Sequence, residues 1–153
     1  MAEEVFALAV ASWRQRVASR QGSGTVELSE SQFLTLDLIT RDPRGGGTPT
    51  VGDLQRAIHV LPAQMSRIIR SLETNFDKPL IHCQLNQQDK RRIDVSITDE
   101  GRRVYEEFRT ARLAKTRDIL QFLSEEDRKE FVRICRRIRE LQESGERRES
   151  RHL

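Results

Sequence analysis

Hydrophobic positions recur along this chain with two different periods, and the change of period separates helical parts from an extended part. Over residues 3–20 the apolar side chains follow a 4-3-4 spacing, which predicts one amphipathic helix. Its inner face is formed by Phe6, Val10, Trp13 and Val17. A capping signature, Ser29 followed by Gln32, predicts the start of a second helix. The inner face of this helix is formed by Phe33, Leu36 and either Ile39 or Thr40.

The middle of the chain predicts two short helices joined by a tight turn. After a glycine-rich loop over residues 42–49, Thr50 caps a helix that runs from Val51 to Ile58. Pro62 begins the next helix, which ends near Asn75. The buried stripe of this second helix consists of Met65, Ile68, Ile69 and Leu72. Its opposite face carries Ala63, Gln64, Ser66, Arg67 and Arg70.

Beyond Pro79 the period shortens to two, which predicts a β-hairpin. Ile93, Val95 and Ile97 alternate with polar residues, as in a half-buried strand, and residues 80–85 are the expected partner strand. The hairpin tip is expected over residues 86–91. The basic residues at this tip and its flank are Lys90, Arg91 and Arg92.

Two further helices are predicted after the hairpin. Thr98 caps a long helix whose apolar members are Val104, Phe108, Leu120 and Leu123. Ser124 caps the last helix, where the apolar positions repeat at 3-4-3 spacing as Phe131, Ile134, Ile138 and Leu141. Residues 144–153 contain one apolar residue, which predicts a disordered tail.

This order of elements predicts a mainly α fold with a small β-hairpin wing. A winged helix-turn-helix domain over residues 29–98 is flanked by an N-terminal dimerisation helix (1–28) and C-terminal dimerisation helices (99–143). The apolar stripes of the outer helices are too long for the small middle unit to cover. Exposed stripes of this kind indicate a partner, and a two-fold homodimer is the commonest arrangement.

The composition excludes some classes of protein. The longest apolar run, Val5 to Ala11, is shorter than the roughly 20 residues that a membrane-crossing helix needs. Cys83 and Cys135 are too few for a disulfide framework, so a cytoplasmic location is expected. Charged residues make up 33% of the 153 residues but give a net charge of only +3. Residues 50–98 hold seven basic and five acidic residues, so part of this small excess coincides with the helix-turn-helix and wing.

The exposed face of the second short helix and the basic tip fit double-stranded DNA. Gln64 can pair with adenine, and Arg67 or Arg70 can reach guanine or phosphate. An arginine at the wing tip fits a narrow minor groove. The alternative is a solvated helix face and a solvated turn, which is common for charged runs. The combination of helix-turn-helix, basic wing and dimerising flanks favours DNA binding.

Three segments resemble the multiple-antibiotic-resistance regulator (MarR) family. They are Thr50–Leu54, Ser66–Glu73 and Asp89–Gly101, of which the last matches the wing pattern D-x-R, an alternating strand, and then L/I-T-x-E/D-G at the start of a helix. The motifs cover about residues 29–110, and the order of helices extends the resemblance to the whole chain.

The resemblance implies a DNA-binding transcriptional regulator, commonly a repressor, whose terminal helices interlock in a homodimer on a pseudo-palindromic site. Arg91 would enter the minor groove with Asp89 orienting it, and the helix Pro62–Asn75 would enter the major groove. The expected DNA-binding residues are Thr50, Ala63, Gln64, Ser66, Arg67, Arg70, Asp89, Lys90, Arg91 and Arg92. Family members commonly bind small aromatic or phenolic ligands in a cleft, which implies such an effector and no cofactor.

The sequence departs from the family pattern in four places. Leu61 stands where the recognition helix usually has a capping serine, and His59 replaces the usual glycine of the turn. About three extra residues lie within 75–79, and Cys83 replaces a basic residue common at the start of the wing. The last three departures could alter wing placement and weaken DNA binding.

Other chemistry is less favoured. His82 and Cys83 are adjacent, and neighbours on a strand point to opposite faces, which argues against shared metal ligation. Cys135 lies among apolar residues, and we interpret it as a small buried hydrophobic residue rather than as a redox partner for Cys83. Phe6, Trp13, Phe33, Tyr105 and Phe108 are interpreted as packing residues rather than as the lining of an effector pocket. No nucleophile triad, carboxylate pair or phosphate loop is recognisable, so an enzyme is not expected.

Two rival interpretations stay open at this point. One is a winged helix that serves as a protein-interaction or dimerisation module without DNA, which the extra residues and the lost cap favour slightly. The other is a redox-sensing regulator that uses Cys83 or Cys135.

Overall fold

A computed structural model of the chain describes residues 2–19, 27–41 and 47–149. It contains α1 (Ala2–Ser19), α2 (Glu30–Arg41), α3 (Val51–Ile58), α4 (Pro62–Thr74), β1 (Ile81–Leu85), β2 (Ile93–Ile97), α5 (Asp99–Gln121) and α6 (Glu125–Glu149). The chain forms two compact units, Met1–Arg109 and Thr110–Leu153, with the boundary inside α5. The predicted fold class, mainly helical with one antiparallel hairpin, is confirmed.

The helices begin where the sequence placed their caps. The Ser29 and Gln32 side chains each accept a backbone N–H of the other residue, and Thr50 and Asp53 form the same reciprocal arrangement. The Thr98 hydroxyl accepts the N–H of Gly101 at 3.0 Å. The Ser124 hydroxyl accepts the N–H of Asp127 at 3.1 Å in the same way. These short-range bonds satisfy N–H groups that the first turn of a helix leaves without partners.

The core of the first unit lies where α2, α3 and α4 meet the hairpin and the start of α5. Its fully buried side chains include Leu28, Leu36, Leu54, Met65, Leu72, Leu80, Ile81, Val95 and Val104. Phe33 packs against this core, with its ring stacked at 5.5 Å on Tyr105 and tilted at 5.0 Å against Phe108. The Tyr105 hydroxyl donates a 2.6 Å hydrogen bond to Asp37. These three aromatic residues therefore pack within the fold.

The wing is a two-stranded antiparallel hairpin tied to the chain that precedes α3. Its register runs from the pair Ile81 and Ile97 to the pair Leu85 and Ile93. The N–H of Val95 donates to the carbonyl oxygen of Pro49 at 2.9 Å, and this fixes the outer edge of β2. Val95 is fully buried, whereas Ile93 is 42% exposed. The expected half-buried face of β2 therefore does not include Ile93, because that residue lies beyond the core near the tip.

The extra residues between α4 and β1 are accommodated in the turn. The N–H of Leu80 donates to the carbonyl oxygen of Leu72 at 2.9 Å, which brings the chain back to α4. Phe76, inside the inserted stretch, packs against the core. The wing strands that follow keep full pairing, so the insertion does not disrupt the hairpin.

The second unit contains the later part of α5 and all of α6. At the turn between them the Arg128 guanidinium donates to the carbonyl oxygens of Leu120 and Leu123 at 3.1 and 3.2 Å. The helix α6 continues to Glu149, past Ser144, where the sequence predicted the start of a disordered tail. Glu and Arg are good helix formers, so apolar content alone misjudged these residues. Residues 150–153 lie outside the described residues.

The outer helices carry exposed apolar side chains. Phe6 of α1 is 71% exposed. Phe131, Ile134, Ile138 and Leu141 of α6 are between 41% and 57% exposed. The side chains of Trp13 and Val17 lie outside the described residues. No helix in the described ranges combines the length and the apolar character that a membrane crossing requires.

Candidate nucleic-acid interface

The two faces of α4 differ in burial as the sequence predicts. Met65, Ile68, Ile69 and Leu72 are buried and hold the helix against the core. The opposite face presents Ala63, Gln64, Ser66, Arg67 and Arg70, all of them exposed. The Ser66 hydroxyl donates to the carbonyl oxygen of Pro62 at 3.0 Å, so its proton is used within the helix. A helix that is packed against the core on one side and polar on the other is suited to contact base edges in the major groove of DNA.

Two of the four departures from the family pattern, Leu61 and His59, lie in the turn that precedes α4. Leu61 occupies the cap position with extended backbone and gives no side-chain cap, and its side chain is 74% exposed. His59 adopts a left-handed conformation with φ of 57°, which costs more for histidine than for glycine. Its backbone N–H nevertheless reaches the end of α3, donating to the Arg56 carbonyl oxygen at 3.3 Å. The tight turn therefore forms in spite of both substitutions.

The arginines of α4 differ in their partners from several helical arginines of this chain. Arg103 of α5 pairs with Glu100 at 2.6 Å, and Arg133 of α6 pairs with Glu130 at 2.6 Å. Within the described residues, Arg67 and Arg70 have no carboxylate partner. Their guanidinium groups are therefore available to an external anion.

A groove of about 470 Å³ separates α4 from the wing. Arg67, Arg70 and Glu73 line it from α4, and Ile93 lines it from β2. Because the polar face of α4 and the β2 side of the wing border one groove, a duplex lying on α4 would also meet the wing.

The wing tip is organised by Asn86, a residue that the sequence analysis did not single out. Its amide nitrogen donates to both carboxylate oxygens of Asp94 at 3.0 Å. Its side-chain oxygen accepts the N–H groups of Gln88 and Asp89 at 2.9 Å. An asparagine that accepts backbone N–H groups two and three residues ahead is a recognised turn former, and this signal could have identified it.

Asp89 acts on Arg91 through the backbone. One Asp89 carboxylate oxygen accepts the Arg91 N–H at 3.0 Å, and the Asp89 carbonyl oxygen accepts the Arg92 N–H at 2.9 Å. The side chains of Lys90 and Arg91 are exposed, and neither has an ion pair with any described residue. The tip therefore presents two cations on a fixed turn.

Two of the residues expected at the DNA are engaged within the fold. Thr50 is only 5% exposed, and its hydroxyl donates to an Asp53 carboxylate oxygen at 2.8 Å. Arg92 places a guanidinium nitrogen 3.5 Å from the same Asp53 oxygen. Thr50 is buried because it caps α3, and Arg92 turns toward α3 because Asp53 offers a carboxylate. Sequence reasoning missed Asp53, which joins α3 to the wing.

The environment of Cys83 disfavours its thiolate form. Burial, followed by a hydrogen bond to Glu73, raises the pKa of the Cys83 thiol from 9.0 to about 12. The thiolate is the nucleophilic form, so a redox role for Cys83 is disfavoured. Cys135 is exposed, contrary to the expectation of a buried hydrophobe, because the α6 face that bears it is uncovered in the single chain.

Metal ligation finds no support among these residues. His59 and His82 are exposed. In the part of the chain that the structure describes, no three His, Cys, Asp or Glu side chains are grouped so as to hold a metal ion.

No family model matches the chain. The chain is 31% identical over 100 residues to the HTH-type transcriptional repressor MdtR of Bacillus subtilis. That alignment covers 65% of this chain and 63% of MdtR, which is less than two thirds of the relative's length.

Solved structures share the fold. The crystal structure of MarR has a TM-score of 0.72 at 22% identity, covering 89% of this chain and 94% of the other. Streptococcus pneumoniae FabT in complex with DNA also has a TM-score of 0.72, at 16% identity, covering 94% of this chain and 99% of the other. At these identities the similarity establishes the fold, and it extends over nearly the whole length of both chains.

Proposed function

We propose that the chain is a winged helix-turn-helix regulator of the MarR family that controls transcription by binding a specific double-stranded DNA site, and its similarity to MdtR and to the MarR structure supports this. The observation that carries this proposal is the presence of two exposed pairs of cations, one on α4 and one at the wing tip. Arg67 and Arg70 on α4, and Lys90 and Arg91 at the wing tip, have no carboxylate partners among the described residues. Arg67 and Arg70 line the groove that Ile93 borders on the wing side. A DNA duplex offers phosphates that such cations can bind and base edges that the exposed face of α4 can contact.

The helix α4 would enter the major groove and the wing tip the minor groove. Ala63 and Gln64 lie at the start of α4, where recognition helices contact base edges. Gln64 can make a bidentate contact to adenine, and Arg67 can make one to guanine or reach a phosphate. Arg91 projects from a turn fixed by Asn86 and Asp89, so its guanidinium would fit an electronegative minor groove.

A homodimer on a pseudo-palindromic site follows from the exposed apolar residues of the outer helices. Five apolar side chains of these helices are 41–71% exposed, and exposed apolar patches commonly mark interaction sites. They are Phe6 on α1 and Phe131, Ile134, Ile138 and Leu141 on α6. A two-fold dimer would present one α4 helix to each half-site, and the half-sites of helix-turn-helix dimers lie about one helical turn apart. Dimerisation would thus bury the apolar stripe of α6 and supply the two-fold symmetry of the site.

Repression that responds to a ligand is the regulatory mode we propose, with a small aromatic compound as effector and the cytoplasm as location. Repression is supported by the similarity to MdtR, which is itself named a repressor. A ligand that binds only one spacing of the two α4 helices would change the DNA-competent population.

The test is selection of bound DNA from a random duplex pool with the full chain. We expect recovery of an inverted repeat with half-sites about one helical turn apart, and binding that weakens as salt rises. A matched control is the Arg67→Ala, Arg91→Ala double variant, which should recover no motif. If the unaltered protein gives neither a motif nor a salt-sensitive mobility shift at micromolar concentration, the protein-interaction module without DNA binding is the better reading.

A further inference from the structure

The strongest feature that the proposed DNA contacts do not use is the link between Arg92 and Asp53. These residues are 39 positions apart, and the Arg92 guanidinium lies 3.5 Å from an Asp53 carboxylate oxygen. Asp53 is 9% exposed and already caps α3, accepting the Thr50 N–H at 3.0 Å and the Thr50 hydroxyl at 2.8 Å. Its position is therefore fixed by α3 and not by the wing.

Arg92 stands between this fixed carboxylate and the basic tip. Its N–H donates to the Asp89 carbonyl oxygen and its carbonyl oxygen accepts the Asn86 N–H, both at 2.9 Å. The backbone of Arg92 therefore closes the tip turn while its side chain reaches α3. Nearer the core, two backbone interactions hold the wing to the chain that precedes α3. The Val95 N–H donates to the Pro49 carbonyl oxygen, and Thr50 forms an isolated antiparallel β-bridge with Asp94. Arg92 is the side chain that extends this attachment toward the tip.

We propose that Arg92 is a positioning residue that sets the pitch of the wing relative to the helix-turn-helix, and is not itself a contact to DNA. This inference rests on the proposed DNA-binding function. The ion pair between Asp53 and Arg92 acts as a strap between α3 and the wing tip. When the pair is formed, Arg91 is presented at a fixed angle to α4. When the pair is lost, the wing is held only at its base. The effect of Arg92 on DNA then passes through Arg91.

A double-mutant cycle between Arg91 and Arg92 tests this. If Arg92 positions Arg91, Arg92→Gln weakens DNA binding about fivefold to tenfold, and adding Arg91→Ala costs little more. The slope of log affinity against log salt falls by about one unit for Arg91→Ala and by no more than that for the double variant. If Arg92 contacts phosphate directly, the two losses multiply and the slope of the double variant falls by about two units, which overturns the proposal.

Arg56→Gln is the matched control. Arg56 pairs with the same Asp53 at 2.6 Å, but from within α3. Its replacement therefore removes one positive charge and one ion pair to the same carboxylate without releasing the wing. We expect Arg56→Gln to combine additively with Arg91→Ala. Arg92→Lys, which keeps a cation, should restore part of the affinity lost in Arg92→Gln.

A second measurement works without DNA. In the free protein, backbone amide order parameters over residues 86–92 should fall in Arg92→Gln and stay unchanged in Arg56→Gln. If Arg92→Gln lowers the order parameters but the unaltered protein binds no DNA, the proposed function is rejected and the strap is retained. Unchanged order parameters together with additive losses in affinity would reject the strap and keep the DNA-binding function.

Discussion

A side chain at Gly101 would collide with the backbone of Leu80. A Cβ atom placed on Gly101 overlaps the Leu80 carbonyl oxygen and comes within 2.8 Å of the Leu80 carbonyl carbon. The same carbonyl oxygen accepts the Thr98 N–H at 3.1 Å, so the first turn of α5 lies directly on the start of the wing. Glycine at the end of the wing motif is therefore a packing requirement at the joint between wing and helix.

Gly101→Ala should lower the free energy of unfolding by about 2 kcal/mol or more, because the obstructing atoms are backbone and cannot rotate away. Gly52→Ala is the matched control, since the nearest atom to a Cβ there is the Thr50 hydroxyl oxygen at 3.9 Å. That variant should be neutral or slightly stabilising, as expected for Gly to Ala in a helix. Urea denaturation measures both, and equal midpoints would contradict the packing argument.

Arg91→Ala should weaken DNA binding and reduce the salt slope by about one unit, because one unpaired cation is removed from the tip. Arg133→Ala is a suitable control, since Arg133 lies on α6 and already pairs with Glu130. A salt titration of affinity compares the two. An Arg91→Ala slope identical to that of the unaltered protein would remove Arg91 from the interface.

Leu61→Ser should stabilise the fold by about 1 kcal/mol, because a serine at this cap position can accept an N–H of the first turn of α4. Leu61 is mostly exposed, so little burial is lost on replacement. Leu61→Ala separates the effect of the hydroxyl from the loss of the leucine. Thermal unfolding should rank serine above both alanine and leucine, and a serine variant no more stable than alanine would exclude capping.

Cys83 should react slowly with thiol reagents at pH 8 in the folded protein and quickly in urea, because burial and Glu73 disfavour its thiolate. The Cys135→Ser variant isolates this signal. The folded-state pKa is raised from 9.0 to about 12, so the folded state keeps its proton where the unfolded chain loses it. This contribution to stability is therefore complete below about pH 9 and is lost as the pH rises toward 12.

Mild peroxide should accordingly leave DNA binding unchanged in the Cys135→Ser variant. A peroxide-dependent loss of binding there would revive the redox interpretation through Cys83. Rapid labelling of folded Cys83 at pH 8 would show that its thiol is not protected as the structure indicates.

Ile138→Glu should convert the proposed homodimer to monomer, because it places a charge in the apolar stripe of α6. Arg136→Glu changes the charge more but lies on the opposite side of the helix, so it should leave the association unchanged. Sedimentation velocity distinguishes the two species. A dimer that survives Ile138→Glu would place the interface elsewhere.

The sequence predicted the elements well because their signals are local. Caps at Ser29, Thr50, Thr98 and Ser124 act over three residues, and the helical and strand periods act over one or two turns. The prediction for the end of α6 was wrong because low apolar content was interpreted as disorder, although Glu and Arg also favour helix.

The candidate site was predicted only in part. The exposed face of α4 and the basic tip could be read from spacing, since one turn of helix or strand decides which side a residue takes. The roles of Thr50, Arg92 and Asp53 could not, because exposure and pairing there depend on contacts between α3 and the wing.

The sequence by itself determined which segments are helix or strand, where they begin, and which residue types reach the surface of α4 and the wing. The tertiary structure decided which cations are left unpaired and which are held: Arg91 projects from the tip, whereas its neighbour Arg92 turns back to Asp53. It also decided that position 101 must be glycine. Both outcomes depend on atoms that are distant along the chain and close in space, and no local pattern encodes such distances.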